Sequence, residues 1–146
     1  MDGKSKTVVQ VQSRCACGAV SVSVAGPVRS MLLCACLDCQ KASGTGHSTV
    51  ALFTRDDVTI TGETRAFTRP AASGALFTRH FCPTCGTMIS GFSSRAAALL
   101  MLPVGLFGSD SHWFVPSQLI FARSHHDWDM IDASLPQYLT YRGEES

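Results

Sequence analysis

Seven cysteines fall in three tight groups along the 146 residues: Cys15 and Cys17, then Cys34, Cys36 and Cys39, then Cys82 and Cys85. Cysteines used as small core hydrophobes would scatter, one to a strand. A disulfide framework would pair an even number in a secreted chain, whereas this number is odd and no signal-peptide stretch follows the polar start, Met1 to Lys6. Clustered thiolates are the donor set of a soft or borderline metal ion, zinc foremost.

Phe81-Cys82-Pro83-Thr84-Cys85-Gly86 is the most specific piece. Proline between two thiolates and glycine after them make a tight turn whose N–H groups point at both sulfurs, a zinc knuckle. A structural zinc takes four ligands, so the knuckle needs two more. Cys15 and Cys17, in the compact clip Cys15-Ala16-Cys17-Gly18, are the natural pair. Cys34, Cys36 and Cys39 then remain. Three protein ligands with an open fourth position are what catalytic zinc favours. A histidine such as His47 closing the tetrahedron would instead make this second site structural, and an iron–sulfur cluster is a further use of such cysteines.

Other side chains near the triplet read more ordinarily. Ser43-Gly44-Thr45-Gly46 is a polar turn that could offer N–H groups to an anion, and Lys41 could steer one. His47 and His80 could move protons or cap a metal ligand. His125-His126 lies beside Asp127 and Trp128, far along the chain from any cysteine, and Trp128 reads as core packing rather than a substrate wall.

The elements that must position these residues are mainly strands. Thr7–Arg14 and Ala19–Ala25 alternate, with Val20, Val22 and Val24 separated by serines, and the Cys15–Gly18 clip forms the bend between them. Further strands are expected at Ser48–Phe53, Val58–Thr61, Thr64–Thr68, Ala75–Phe81, Met88–Phe92, Leu99–Val104 and Gln118–Ala122. One helical stretch follows Cys36, through Asp38 to Ser43. The expected organisation is a flexible tail at 1–6, a single zinc-binding domain of catalytic type at 7–141, and a frayed end at 142–146.

Composition excludes several classes. A chain 45% hydrophobic and 16% charged is not disordered. Its net charge of +1, without a basic run or basic–aromatic interleaving, argues against nucleic acid as a partner. The longest apolar run, Ala96 to Phe107, is broken by Pro103 and is too short to cross a bilayer, so no membrane partner is expected. The expected location is the cytoplasm, where thiols stay reduced. The oligomeric state is left open.

Taken in order, three motifs resemble the glutathione-dependent formaldehyde-activating enzymes, grouped with centromere protein V. They are Cys15-Ala16-Cys17-Gly18-Ala19-Val20, the stretch Cys34-Ala35-Cys36-Leu37-Asp38-Cys39-Gln40-Lys41-Ala42-Ser43-Gly44, and Phe81-Cys82-Pro83-Thr84-Cys85-Gly86-Thr87. The stretch from Pro116 through Trp128 to Leu135-Pro136 resembles the family's C-terminal segment. Ala35 and Gln40 depart from the family's frequent histidine and arginine; neither removes a ligand. The resemblance implies a zinc-binding β-tent domain like that of methionine sulfoxide reductase B, with long loops and little helix. It implies two zinc ions, structural at Cys15, Cys17, Cys82 and Cys85 and catalytic at Cys34, Cys36 and Cys39. The activity implied is that of a carbon–sulfur lyase joining a small thiol such as glutathione to formaldehyde or a similar aldehyde. The alternatives are a non-catalytic, zinc-stabilised protein-binding module and a thiol redox protein with a triplet cysteine as nucleophile.

Overall fold

Val20, Val22 and Val24 are 0%, 0% and 1% exposed, so the alternation of the second strand does bury one face. In the computed structural model, which describes residues 7–141, that strand is one of ten. The tail expected at 1–6 and the frayed end expected at 142–146 lie outside the described residues. In chain order the elements are β1 (Val8–Arg14), β2 (Ser21–Pro27), β3 (Ser30–Cys34), α1 (Leu37–Ser43), β4 (Ser48–Thr54), β5 (Val58–Thr61), β6 (Arg65–Pro70), β7 (Leu76–Phe81), β8 (Met88–Ser93), β9 (Leu99–Pro103) and β10 (Leu119–Ile120). With one seven-residue α-helix among the described residues, the fold is mainly β.

The chain divides into two compact units. The first comprises residues up to Ser30 together with Ala51–Trp113. Its smaller sheet has the order β1-β2-β5, antiparallel throughout, with Val24 opposite Val11 on one side and Val58 on the other. Strands β9, β8, β7 and β6 neighbour one another in that order, and each successive pair is antiparallel. Phe53, Ile89 and Leu102 are wholly buried in this unit. Trp113 sets its ring edge-on to both Phe53 and Phe107, each at 6.1 Å. Beyond Leu99–Pro103 the chain turns into a 3-10 segment, Val104–Asp110, because Pro103 ends the ladder.

The second unit comprises Met31–Val50 and the chain from Phe114 onward. β3 was not expected from the sequence: Ser30-Met31-Leu32-Leu33-Cys34 lacks alternation. On one side it pairs with the two-residue strand β10, parallel to it and more than eighty positions later, so no local signal announces that pairing. The expected strand Gln118–Ala122 shrinks to Leu119–Ile120. Leu119 accordingly hydrogen-bonds elsewhere as well: its N–H donates to Pro136 O at 2.9 Å, and its carbonyl accepts from Tyr138 N–H at 2.9 Å. Leu33, Ala35 and Leu119 form the buried cluster here, packed by Phe114, Ala122, Ile131 and Leu135.

Candidate metal centre

The hairpin between β1 and β2 carries the first two cysteines. Cys15 N–H donates to Val20 O at 2.9 Å and Gly18 N–H to Cys15 O at 3.0 Å, which folds the clip tightly. The knuckle after β7 repeats this geometry: Gly86 N–H donates to Cys82 O and Cys82 N–H to Thr87 O, both at 2.9 Å. Gly18 and Gly86 have φ of 83° and 78°, left-handed values that suit glycine. The two turns bring four sulfurs together, all within 4.8 Å of one another. Cys15 Sγ lies 3.7 Å from Cys17 Sγ, and Cys17 Sγ lies 3.6 Å from Cys82 Sγ. A zinc–sulfur bond of about 2.3 Å in a tetrahedron places sulfurs about 3.8 Å apart, so this spacing fits a four-coordinate ion.

Donors surround these sulfurs. Val20 N–H points at Cys15 Sγ at 3.3 Å and Cys85 N–H at Cys82 Sγ at 3.5 Å. Thr87 Oγ1 stands 3.2 Å from Cys85 Sγ and accepts the Ala16 N–H at 3.1 Å, bridging the knuckle to the clip. The Thr87 hydroxyl and then its N–H hold the Cys85 thiol down at about 5. At Cys15, burial raises the value, but the Val20 N–H and neighbouring sulfurs outweigh it and leave the thiol lowered. The Ala19 N–H lowers Cys17, yet desolvation and the crowding of Cys82, Cys15 and Cys85 push it up to about 11.

The triplet lies wholly in the second unit, at the end of β3 and the start of α1. Cys36 is the N-cap of α1; its Sγ accepts the Cys39 N–H at 3.3 Å, as a capping oxygen would. The sulfurs of Cys34, Cys36 and Cys39 also lie within 4.8 Å of one another. Among the described residues no histidine nitrogen or carboxylate oxygen joins this group. Cys34 is buried, and the sulfurs of Cys36 and Cys39 beside it raise its pKa. At Cys39 the Cys34 thiol lowers the value, but Cys36 and burial push it up to about 11. Such a set holds its protons until a cation replaces them.

Two sets of polar contacts follow the triplet, one through Gln40 and one through Asp129. Gln40 Nε2 donates to Ala35 O at 2.9 Å and Ser124 O at 3.0 Å, which turns Gln40 Oε1 toward His126 Nε2 at 2.9 Å. His126 stacks on Trp128, with ring centroids 4.9 Å apart and planes 11° from parallel. Trp128 is 65% exposed, so the expectation that it packs in the core is corrected: its ring covers an imidazole and faces water. Asp129 accepts from His47 Nδ1 at 2.6 Å, and its backbone carbonyl accepts from His125 Nε2 at 2.9 Å. Ser48 Oγ donates to Cys39 O at 3.1 Å.

The remaining candidates fall elsewhere. His80 sits on β7 in the first unit, 3.1 Å from Thr64 Oγ1 and stacked on Phe92, and belongs to neither sulfur group. Lys41 is exposed in the last turn of α1. Gly44 caps that helix, its N–H donating to Gln40 O at 2.8 Å, and Ser43 Oγ accepts the Thr45 N–H, so Ser43–Gly46 is a helix-ending turn. Sequence reading missed the parts played by Gln40, Thr87 and Asp129. Only Thr87 had a local signal, two positions beyond Cys85.

The profile of the family described as glutathione-dependent formaldehyde-activating enzyme matches residues 10–124, and the chain belongs to that family. No curated protein matches the sequence closely. Among solved structures, the crystal structure of a Rhodobacter sphaeroides protein, a structural-genomics target, is similar. It has 16% identity and a TM-score of 0.54, covering 68% of this chain and 89% of that one, a likeness of fold. Among the described residues no helix is long and apolar enough to cross a membrane.

Proposed function

We propose that the chain is a zinc-dependent enzyme of carbon–sulfur bond chemistry that joins a thiol such as glutathione to formaldehyde or another small aldehyde, and runs the reverse cleavage. The observation that carries this reading is the triplet: three sulfurs converge within 4.8 Å, with no fourth protein donor in the group among the described residues. Membership of the family supports the pair of substrates.

In this reading Cys15, Cys17, Cys82 and Cys85 hold a structural zinc, and Cys34, Cys36 and Cys39 hold the catalytic one. When bound at three thiolates, zinc supplies a weak Lewis acid that prefers sulfur as its fourth partner and lowers the pKa of that thiol. The chain does the rest. The Cys39 N–H fixes Cys36 Sγ, and Gln40 pins the Ala35 carbonyl, so the spacing of the triplet is set before substrate arrives.

The test is a steady-state assay of the zinc-loaded protein with glutathione and formaldehyde, alongside native mass spectrometry. Expected are two zinc ions per chain and a glutathione adduct that disappears in Cys36→Ser. A rate no higher than that of the metal-free protein would refute the substrate pair.

A further inference from the structure

We propose that His47, oriented by Asp129, is the proton-transferring catalytic residue of this reaction, an inference that rests on the reading above. His47 Nδ1 lies 2.6 Å from Asp129 Oδ2. An ionised carboxylate only accepts, so Nδ1 carries the hydrogen and the neutral ring keeps its lone pair on Nε2. That Nε2 makes no hydrogen bond among the described residues, and the His47 side chain as a whole retains 20% exposure.

The carboxylate is held in place. Asp129 is 10% exposed; His125 Nε2 binds its backbone carbonyl and stands 3.3 Å from Oδ2. Asp129 is the titratable group in contact with the His47 ring, and His125 touches the far side of that contact through Asp129. A Cβ at Gly46 would overlap the Asp129 carboxylate, so glycine beside His47 is what lets the dyad close. The chain around His47 is anchored to the triplet: Ser43 Oγ donates to His47 O at 3.2 Å, and Ser48 Oγ to Cys39 O at 3.1 Å. The histidine is thus carried on the segment that is hydrogen-bonded to the backbone of Cys39, the last cysteine of the triplet.

The step balances without an oxidant. The S–H proton of the thiol passes to His47 Nε2, and the sulfur forms a bond to the carbonyl carbon. The C=O π pair moves to oxygen, which takes the proton back from Nε2. In reverse, Nε2 removes the hydroxyl proton, the C–S bond breaks, and the departing sulfur regains the proton. Asp129 stays ionised and holds the ring.

His47→Asn separates the two nitrogens: the Asn amide keeps a donor for Asp129 but has nothing at the position of Nε2. Expected in H47N are an unchanged metal count by native mass spectrometry, a kcat lowered by about a hundredfold or more, a KM near that of wild type, and loss of the acid limb of the pH–rate profile. A kcat within about twofold of wild type overturns the inference alone. Loss of a metal ion from H47N would make His47 a ligand and overturn it as well. A separate readout needs no turnover: ring 15N spectra of wild type at alkaline pH should show His47 protonated on Nδ1, and D129N should shift the ring toward the Nε2–H form. An Nε2–H ring in wild type overturns the proposal. A wild type that turns over no thiol–aldehyde pair overturns the reading beneath it, and the proposal with it.

Discussion

Replacing Thr87 by valine removes one hydroxyl and keeps the shape of the side chain. That hydroxyl stands 3.2 Å from Cys85 Sγ and accepts the Ala16 N–H at 3.1 Å, while the Thr87 carbonyl, which receives Cys82 N–H, is untouched by the change. The same hydroxyl is the largest cause holding the Cys85 thiol at about 5. Ala16 is exposed, so water replaces its lost partner and the main effect falls on the sulfur. Removing an outer partner of a metal ligand weakens metal binding by about ten- to a hundredfold, and we expect that loss at the four-sulfur set in T87V. The direction with pH follows. A thiol below its ordinary value keeps its metal until the solution is well acid; without the donor it rises, protons compete earlier, and half-release moves to higher pH. Competition with a chromophoric chelator, read across a pH series, measures both, and Thr87→Ser should behave as wild type. An affinity within about twofold of wild type, with an unmoved release midpoint, would show that the hydroxyl does not act on the metal.

Two further outcomes are expected. On acidification the triplet should release its metal before the four-sulfur set: Cys34 is raised and Cys39 is pushed up to about 11, whereas in the other set Cys17, also at about 11, is offset by Cys15, which is lowered, and Cys85 at about 5. Native mass spectra of C36S and C82S over falling pH would assign each loss, and the reverse order would contradict it. Phe53→Ala empties a wholly buried site against the Trp113 ring and should cost about 3–5 kcal/mol, read by urea unfolding with Trp113 fluorescence as reporter.

How much of this was legible beforehand differs by region. The β1–β2 hairpin was readable because Val20, Val22 and Val24 announce a buried face and Gly18 a bend, both local signals. The two cysteine groups were equally plain, since ligand number and turn chemistry are written within a few residues of each sulfur. β3 was not, because Met31-Leu32-Leu33 has no period and its parallel partner is a distant strand of two residues. Nor were the polar contacts beyond the triplet readable: Gln40 meets His126 across 86 positions and His47 meets Asp129 across 82. Trp128 was misjudged for the same reason, since only tertiary placement reveals an aromatic ring stacked on a histidine at the surface. Gln40, noted first as a departure from the family's frequent arginine, makes three hydrogen bonds to the second unit's backbone and histidine.

The separation of Cys17 from Cys82, 65 residues, also orders events in time on the ribosome. At a synthesis rate of about 5–20 residues per second, roughly 3 to 13 s pass between the emergence of the first turn and that of the second. The triplet needs no such wait, because its three thiols leave the exit tunnel together. A nascent chain would therefore capture its first ion at the triplet while still unfolded, and an ion held by both folded and unfolded chains adds little to stability. The four-sulfur set closes only after the distant turns meet, so an ion bound there would secure the folded chain. On the function proposed above, scarcity of the metal would strike twice and separately, costing yield through the late clasp and turnover through the early one.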